Sequence, residues 1–157
     1  MNELQKEALN HFFVQTFNKV LSWEELSLAR TKCHNLSIKE LHAIEAIREL
    51  EQNNKNTMTN IAALLSISIG ALTTAMNVLV RKGYVERKNN QSDKRIVMVY
   101  LTEKGREAEA NHRAFHDEMI ENIGESLDQE KLDTLISSLS QLSAFFENKI
   151  KLKEFTE

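Results

Sequence analysis

The chain contains no proline in 157 residues, only four glycines and a single cysteine. Average usage would supply about eight prolines in this length, so their absence favours long uninterrupted helices over a fold rich in turns. A lone cysteine excludes a disulfide framework and suits a reducing cytoplasm. The longest apolar run, Ile96 to Leu101, covers six residues, far below the roughly 20 that a membrane-spanning helix needs. The opening Met1-Asn2-Glu3-Leu4-Gln5-Lys6 lacks the basic-then-apolar order of a signal peptide. No glycine-rich phosphate loop, nucleophile elbow or triad-like grouping occurs, so no enzyme is expected. The length fits one compact domain, 1–157, burying roughly 70% of its unfolded surface.

The net charge of −3 argues at first against a nucleic-acid partner, and its distribution reverses that argument. Residues 1–53 carry 6 basic and 8 acidic groups, and residues 102–157 carry 7 and 13. Between them, residues 54–101 hold 7 basic groups (Lys55, Arg81, Lys82, Arg87, Lys88, Lys94 and Arg95) against only Glu86 and Asp93. A segment of +5 between acidic flanks is the pattern of a module that meets a polyanion. By charge alone, a solvated basic face would look the same.

Apolar periodicity orders the elements. Residues 3–31 read as one long helix, with Leu9, Phe13, Phe17, Val20, Trp23 and Leu28 on one stripe and Phe12, Leu21 and Leu26 on another. A helix apolar on two sides faces its own domain and a second partner. Ser37-Ile38-Lys39-Glu40 is a capping box that opens a helix holding Leu41, Ile44 and Ile47 inside. Thr57 or Thr59 caps a short helix ending near Leu65, and Ser66-Ile67-Ser68 breaks it and supplies a fresh cap for Ile69 to Lys82. Gly83, after basic Arg81-Lys82, closes that helix. Tyr84 to Lys88 and Ile96 to Leu101 form a hairpin around Asn89-Asn90-Gln91-Ser92-Asp93. A helix from Thr102-Glu103-Lys104 ends at Gly124, and Asp128 caps a last helix over 128–153. The expected class is mainly α (α+β): a winged helix-turn-helix lobe over 36–101 between long terminal helices.

A helix-turn-helix sets its second helix in the DNA major groove and braces it with the first. Ser66, Ser68, Gly70, Thr73, Thr74 and Asn77 are small or polar, permitting close approach and hydrogen bonds to base edges or phosphates. The hairpin adds Lys88, Lys94 and Arg95, and an arginine on a slender hairpin can enter the narrow minor groove. Asp93, two residues away across the turn, can hold that guanidinium in one orientation.

Ile61-Ala62-Ala63-Leu64-Leu65, Leu79-Val80-Arg81-Lys82-Gly83-Tyr84-Val85-Glu86-Arg87 and Asp93-x-Arg95 followed by an alternating strand and Leu101-Thr102-x-x-Gly105 together resemble the MarR family of winged helix-turn-helix regulators. The resemblance spans nearly the whole chain. It implies a cytoplasmic homodimer joined through helices 3–31 and 128–153, binding a pseudo-palindromic operator in double-stranded DNA. It also implies that Arg95 is the minor-groove residue, oriented by Asp93. Glu24-Glu25-Leu26-Ser27-Leu28, Leu36-Ser37-Ile38-Lys39-Glu40-Leu41-His42, Gly70-Ala71-Leu72-Thr73-Thr74 and His112-x-x-Phe115-His116-x-x-Met119 are similar to the FabT type, repressors of fatty-acid synthesis. That likeness implies long-chain acyl-acyl carrier protein as corepressor. Phe13, Phe17, Ile44, Ile47, Phe115 and Met119 are the candidates to line an acyl tunnel, although ordinary core would use the same residues. The acidic carrier would dock on a basic surface, and the +5 segment is the evident one in sequence.

No cofactor is expected on this reading. One alternative is metal: zinc-responsive members of the family use a Glu on the first helix, a His on the second and two on the fifth. Glu24, His42, His112 and His116 follow in that order, the last two at the i, i+4 spacing of a metal pair. A MarR regulator of a small-molecule or stress response is the other. Cys33, flanked by Lys32 and His34, has no second cysteine to resolve it and reads as a bystander. Trp23 and the Phe12-Phe13 pair read as dimer core.

Overall fold

The computed structural model describes residues 1–90 and 93–154, with side chains through Ile150. Six helices and one hairpin follow in order: α1 (Glu3–Ala29), α2 (Ile38–Glu51), α3 (Met58–Leu64), α4 (Ile69–Arg81), β1 (Val85–Asn89), β2 (Val97–Leu101), α5 (Glu103–Glu125) and α6 (Gln129–Glu154). The chain divides into two compact units, Met1–Phe115 and His116–Glu157. The first holds α1 to α4, the hairpin and the start of α5; the second holds the rest of α5 and α6. Of the reading over 1–157, Gln91, Ser92 and residues 155–157 lie outside the described residues, as do the side chains at 151–153 of the last helix. No single described helix is long and apolar enough to cross a membrane.

Local chemistry sets the helix ends. Ser37 and Glu40 form a reciprocal capping box, with Ser37 N donating to Glu40 Oε2 at 2.7 Å. Thr57 caps α3 by accepting from Asn60 N, and Ser68 caps α4 by accepting from Ala71 N. Gly83 takes φ +79 after α4, where Tyr84 N donates back to Leu79 O at 3.0 Å. Gly124 does not end α5. The helix continues to Glu125, and the break falls at Ser126-Leu127, where Asp128 caps α6 by accepting from Lys131 N at 3.0 Å. An exposed helical glycine costs only about 1 kcal/mol against alanine, too little to stop a helix that has a better cap four residues on.

The core of the first unit gathers Ile44 and Ile47 from α2, Ile61 from α3, Leu72, Met76 and Leu79 from α4, and Val99 and Leu101 from β2. Leu64 of α3 lies outside that core and is 44% exposed. The hairpin is antiparallel, pairing Val85 with Leu101 and Asn89 with Val97. Thr57 adds a bridge to Met98, and buried Asn56 locks that edge: its Nδ2 donates to Val99 O at 2.7 Å, and Val99 N donates to Asn56 O at 2.9 Å. The wing is thereby tied to the start of the helix-turn-helix.

The Leu101-Thr102-x-x-Gly105 motif has a structural cause. Thr102 Oγ1 donates to the Gly83–Tyr84 backbone (2.7 Å to Gly83 O) and accepts from Gly105 N at 3.1 Å, while Thr102 N donates to Tyr84 O. Start of α5 and start of the wing therefore lie in direct backbone contact, and a Cβ at Gly105 would stand 2.1 Å from Tyr84 O. Tyr84 is wholly buried and donates its hydroxyl to Asn35 Oδ1 at 2.6 Å. Burial pushes that phenol up to about 12, so it remains a donor throughout the physiological range.

Candidate nucleic-acid interface

The interface begins with the cap of α4. Ser68 fixes the helix start, and its side chain is spent on Ala71 N. Behind it, Leu72, Met76 and Leu79 are fully buried and anchor one face of α4. The opposite face is exposed and carries Gly70, Thr73, Thr74 and Asn77. Thr73 Oγ1 donates to Ile69 O and Thr74 Oγ1 to Gly70 O, which uses their protons and leaves their oxygens outward as acceptors. Ser66 occupies the turn at φ +52, the left-handed region.

Arg87 on β1 is a residue that sequence reasoning passed over. Its Nη1 donates to Asn77 Oδ1 at 2.9 Å, and its Nη2 reaches Thr73 O at 3.4 Å. The wing thus places a guanidinium against the exposed face of α4 and takes the carbonyl of Asn77. Asn77 retains its amide donors. Alternation along β1, which puts Arg87 on the same face as buried Val85 and so toward α4, was the available signal.

At the hairpin end, Asp93 Oδ1 accepts from Arg95 N at 3.0 Å and from Arg95 Nε at 3.3 Å. The carboxylate therefore grips both backbone and side chain of Arg95, whose side chain is 93% exposed. Lys94 is exposed and makes no ion pair among the described residues. Lys88 pairs with Glu86 and lies over the Tyr100 ring. Such an exposed pair is worth about 0–1 kcal/mol, so its ammonium is readily redirected to a phosphate. Gln91 and Ser92 of the hairpin lie outside the described residues.

A second clamp holds the far end of α4. Lys82 Nζ donates to Glu40 Oε2 at 2.7 Å and to Asn35 O at 2.6 Å. Burial raises the Glu40 carboxyl, but the hydrogen bond and charge of Lys82, with the bonds to Ser37, outweigh it and hold Glu40 below the usual carboxylate range. This clamp orients the exposed helix relative to α2 without entering the interface.

Glu24, only 6% exposed, is the unexpected buried acid of α1. His42 Nε2 lies 2.9 Å from its Oε1 and His112 Nε2 3.4 Å from the same oxygen. His112 also lies 3.5 Å from Glu45 Oε2. Glu24, His42 and His112 thus bring three ligand atoms to one point. His116 falls in the second unit.

The six apolar candidates are placed differently from one another. Ile44 and Ile47 are fully buried core, Phe13 stacks on Phe17 along α1, and Phe17 is 63% exposed. Phe115 is buried against Trp23 edge to face, whereas Met119 falls in the second unit. The small cavity in the first unit is lined by Leu28, Thr31, Cys33, Leu41, His112 and Phe115 among others, and shares only Phe115 with that set.

Residues 26–111 match the family described as Transcriptional regulator SarA/Rot. The HTH-type transcriptional regulator YwhA of Bacillus subtilis is 29% identical over 97 residues, 62% of this chain and 70% of that protein. The multiple antibiotic resistance protein MarR of Escherichia coli is 35% identical over 80 residues, 50% of this chain and 56% of its own. Among solved structures, Streptococcus pneumoniae FabT in complex with DNA is 32% identical, with a TM-score of 0.83 over 91% of this chain and 98% of that one. The chain belongs to the SarA/Rot family of transcriptional regulators, DNA-binding winged helix-turn-helix proteins of the MarR type.

Proposed function

We propose that this protein is a cytoplasmic repressor of fatty-acid synthesis genes, acting as a homodimer on a pseudo-palindromic operator with long-chain acyl-acyl carrier protein as corepressor. The observation that carries the reading is the likeness to DNA-bound FabT, 32% identical over 91% of this chain. Exposed apolar surface on the terminal helices supports the homodimer. On α1, Leu4, Leu9, Phe12, Phe17 and Leu26 are exposed, and on α6 Ile136, Leu139, Phe145 and Phe146 are too. In water, such rows favour burial against a second copy.

On this reading, the N-terminal part of α4 enters the major groove, and Arg95, aimed by Asp93, enters the adjacent minor groove. Selecting bound DNA from a random pool tests it. A palindrome found upstream of fatty-acid genes, with affinity raised by acylated carrier, is the expected result. A palindrome elsewhere, or no acyl-dependent gain, overturns the assignment. Lys88→Ala is expected to weaken all sequences alike and to reduce the slope of affinity against salt by about one phosphate contact. A change in sequence preference would instead give Lys88 a base contact.

A second reading rests on the convergence of Glu24, His42 and His112. A structural or regulatory zinc takes four donors, and these three are of the right types. The same atoms also satisfy one another as a hydrogen-bonded triad. Metal analysis of protein purified without a histidine tag decides: near one equivalent supports zinc, and less than roughly 0.2 equivalents excludes it.

A further inference from the structure

We propose that the loop joining α1 to α2 and the first turn of α2, with exposed Arg30, Lys32, His34 and Lys39, dock an acidic protein partner while DNA occupies α4 and the wing. The proposal rests on the corepressor reading above and identifies where that partner sits.

The first argument is thermodynamic. A ligand that tightens DNA binding must be bound together with DNA, because coupling between two sites is reciprocal. A carrier docked on the +5 segment would compete with DNA and give coupling of the opposite sign. A corepressor therefore needs a basic surface elsewhere, and the sequence-level assignment of the carrier to the +5 segment gives way to one that leaves that segment free.

The second argument is local charge. Residues 26–39 contain no Asp or Glu. Elsewhere, Lys6, Arg48, Lys82, Lys88, Arg95, Arg106, Arg113 and Lys131 each pair with an acid. Arg30, Lys32 and Lys39 are exposed and make no ion pair among the described residues. The next acid along the chain, Glu40, is already engaged by Lys82. Glu25 borders the apolar depression beside His34, which is formed by Leu28, Ala29, Leu36 and Ile38. Three exposed cations on one acid-free stretch, whose Ala29 and Ile38 line that apolar floor, suit an acidic helix that carries a few apolar side chains.

The third argument is position. The loop is fastened to the C-terminal end of α4, where Lys82 Nζ reaches Asn35 O, and to the base of the wing, where Tyr84 donates to Asn35. DNA is read from the N-terminal end of a recognition helix. Thirteen residues of helix separate those ends, about 20 Å. The wing also has its base by the loop and Arg95 at its other end. A partner on the loop consequently pulls on the two elements that hold the DNA-reading groups without covering them.

The test uses full-length protein with the combined substitutions Arg30→Glu, Lys32→Glu and Lys39→Glu. Binding of long-chain acylated carrier protein is measured directly, and operator affinity is measured with and without it at two salt concentrations. Expected are unchanged operator affinity of the variant alone and loss of roughly tenfold or more in carrier binding. The carrier-dependent gain on DNA should be lost with it. Carrier bound equally by both proteins, with the DNA gain intact, overturns the docking site and leaves the corepressor reading standing. Carrier that neither binds nor alters wild-type DNA affinity overturns both. Reduced operator affinity of the variant alone, with a shallower salt slope, makes the loop a DNA-backbone contact and overturns the proposal. A melting temperature matching wild type confirms that the comparison is between folded proteins.

Discussion

Arg95→Ala is expected to weaken operator binding by more than roughly tenfold, with the fold intact. The side chain is 93% exposed, so nothing in the core depends on it. A guanidinium inserted in a narrow minor groove meets the concentrated negative potential there, and its loss removes one charge and one forked donor. Arg95→Lys keeps the charge without the fork and should fall between wild type and alanine. Asp93→Ala tests the aiming role separately. It removes a negative charge near DNA, so simple electrostatics predicts tighter binding. Loss of the contact to Arg95 Nε and of the cap on Arg95 N predicts weaker binding, and the second outcome is expected. Fluorescence anisotropy with the selected operator measures all three. Unchanged affinity of Arg95→Ala would make the hairpin end a bystander.

Gly105→Ala is expected to be the most destabilising single methyl in the described structure. The added carbon would stand 2.1 Å from Tyr84 O, a backbone atom held by Thr102 N and Thr102 Oγ1. Neither side can yield alone: Tyr84 is fully buried, and α5 is fixed at its start by Thr102. Forced overpacking of this kind costs about 3 kcal/mol. In a chain of this size that lowers the melting temperature by about 6–12 °C. Gly83→Ala is the useful contrast, because space is open there and the cost is that of a positive φ alone, about 1 kcal/mol. A Gly105→Ala protein melting within about 2 °C of wild type would show that the α5–wing junction is pliable.

The local devices of this fold were legible residue by residue. Ser37 with Glu40, Ser68 with Ala71 and the Gly83 turn involve partners no more than five residues apart, so their chemistry is visible in the order of residues. Where a local signal failed, a stronger local signal stood close by: Gly124 lies inside α5, and the end is set by Asp128. The uneven charge was equally legible, since it requires only counting.

The contacts that assemble the interface were not. Arg87 on Asn77, Lys82 on Glu40, Asn56 on Val99 and Tyr84 on Asn35 join residues 10 to 49 positions apart. Nothing in the sequence near either partner specifies the other, because packing of α2, α4 and the wing brings them together. Glu24, His42 and His112 could be grouped in sequence only through the family's order of zinc ligands; that the three meet was decided by packing. Sequence by itself determined the order of elements, their caps, the +5 segment and the family resemblance, all carried by near neighbours or by counting. Tertiary structure alone decided which cations are already neutralised and which remain available. That depends on distance in space: Lys82 and Lys32 are alike in sequence, yet only the first finds an acid within reach.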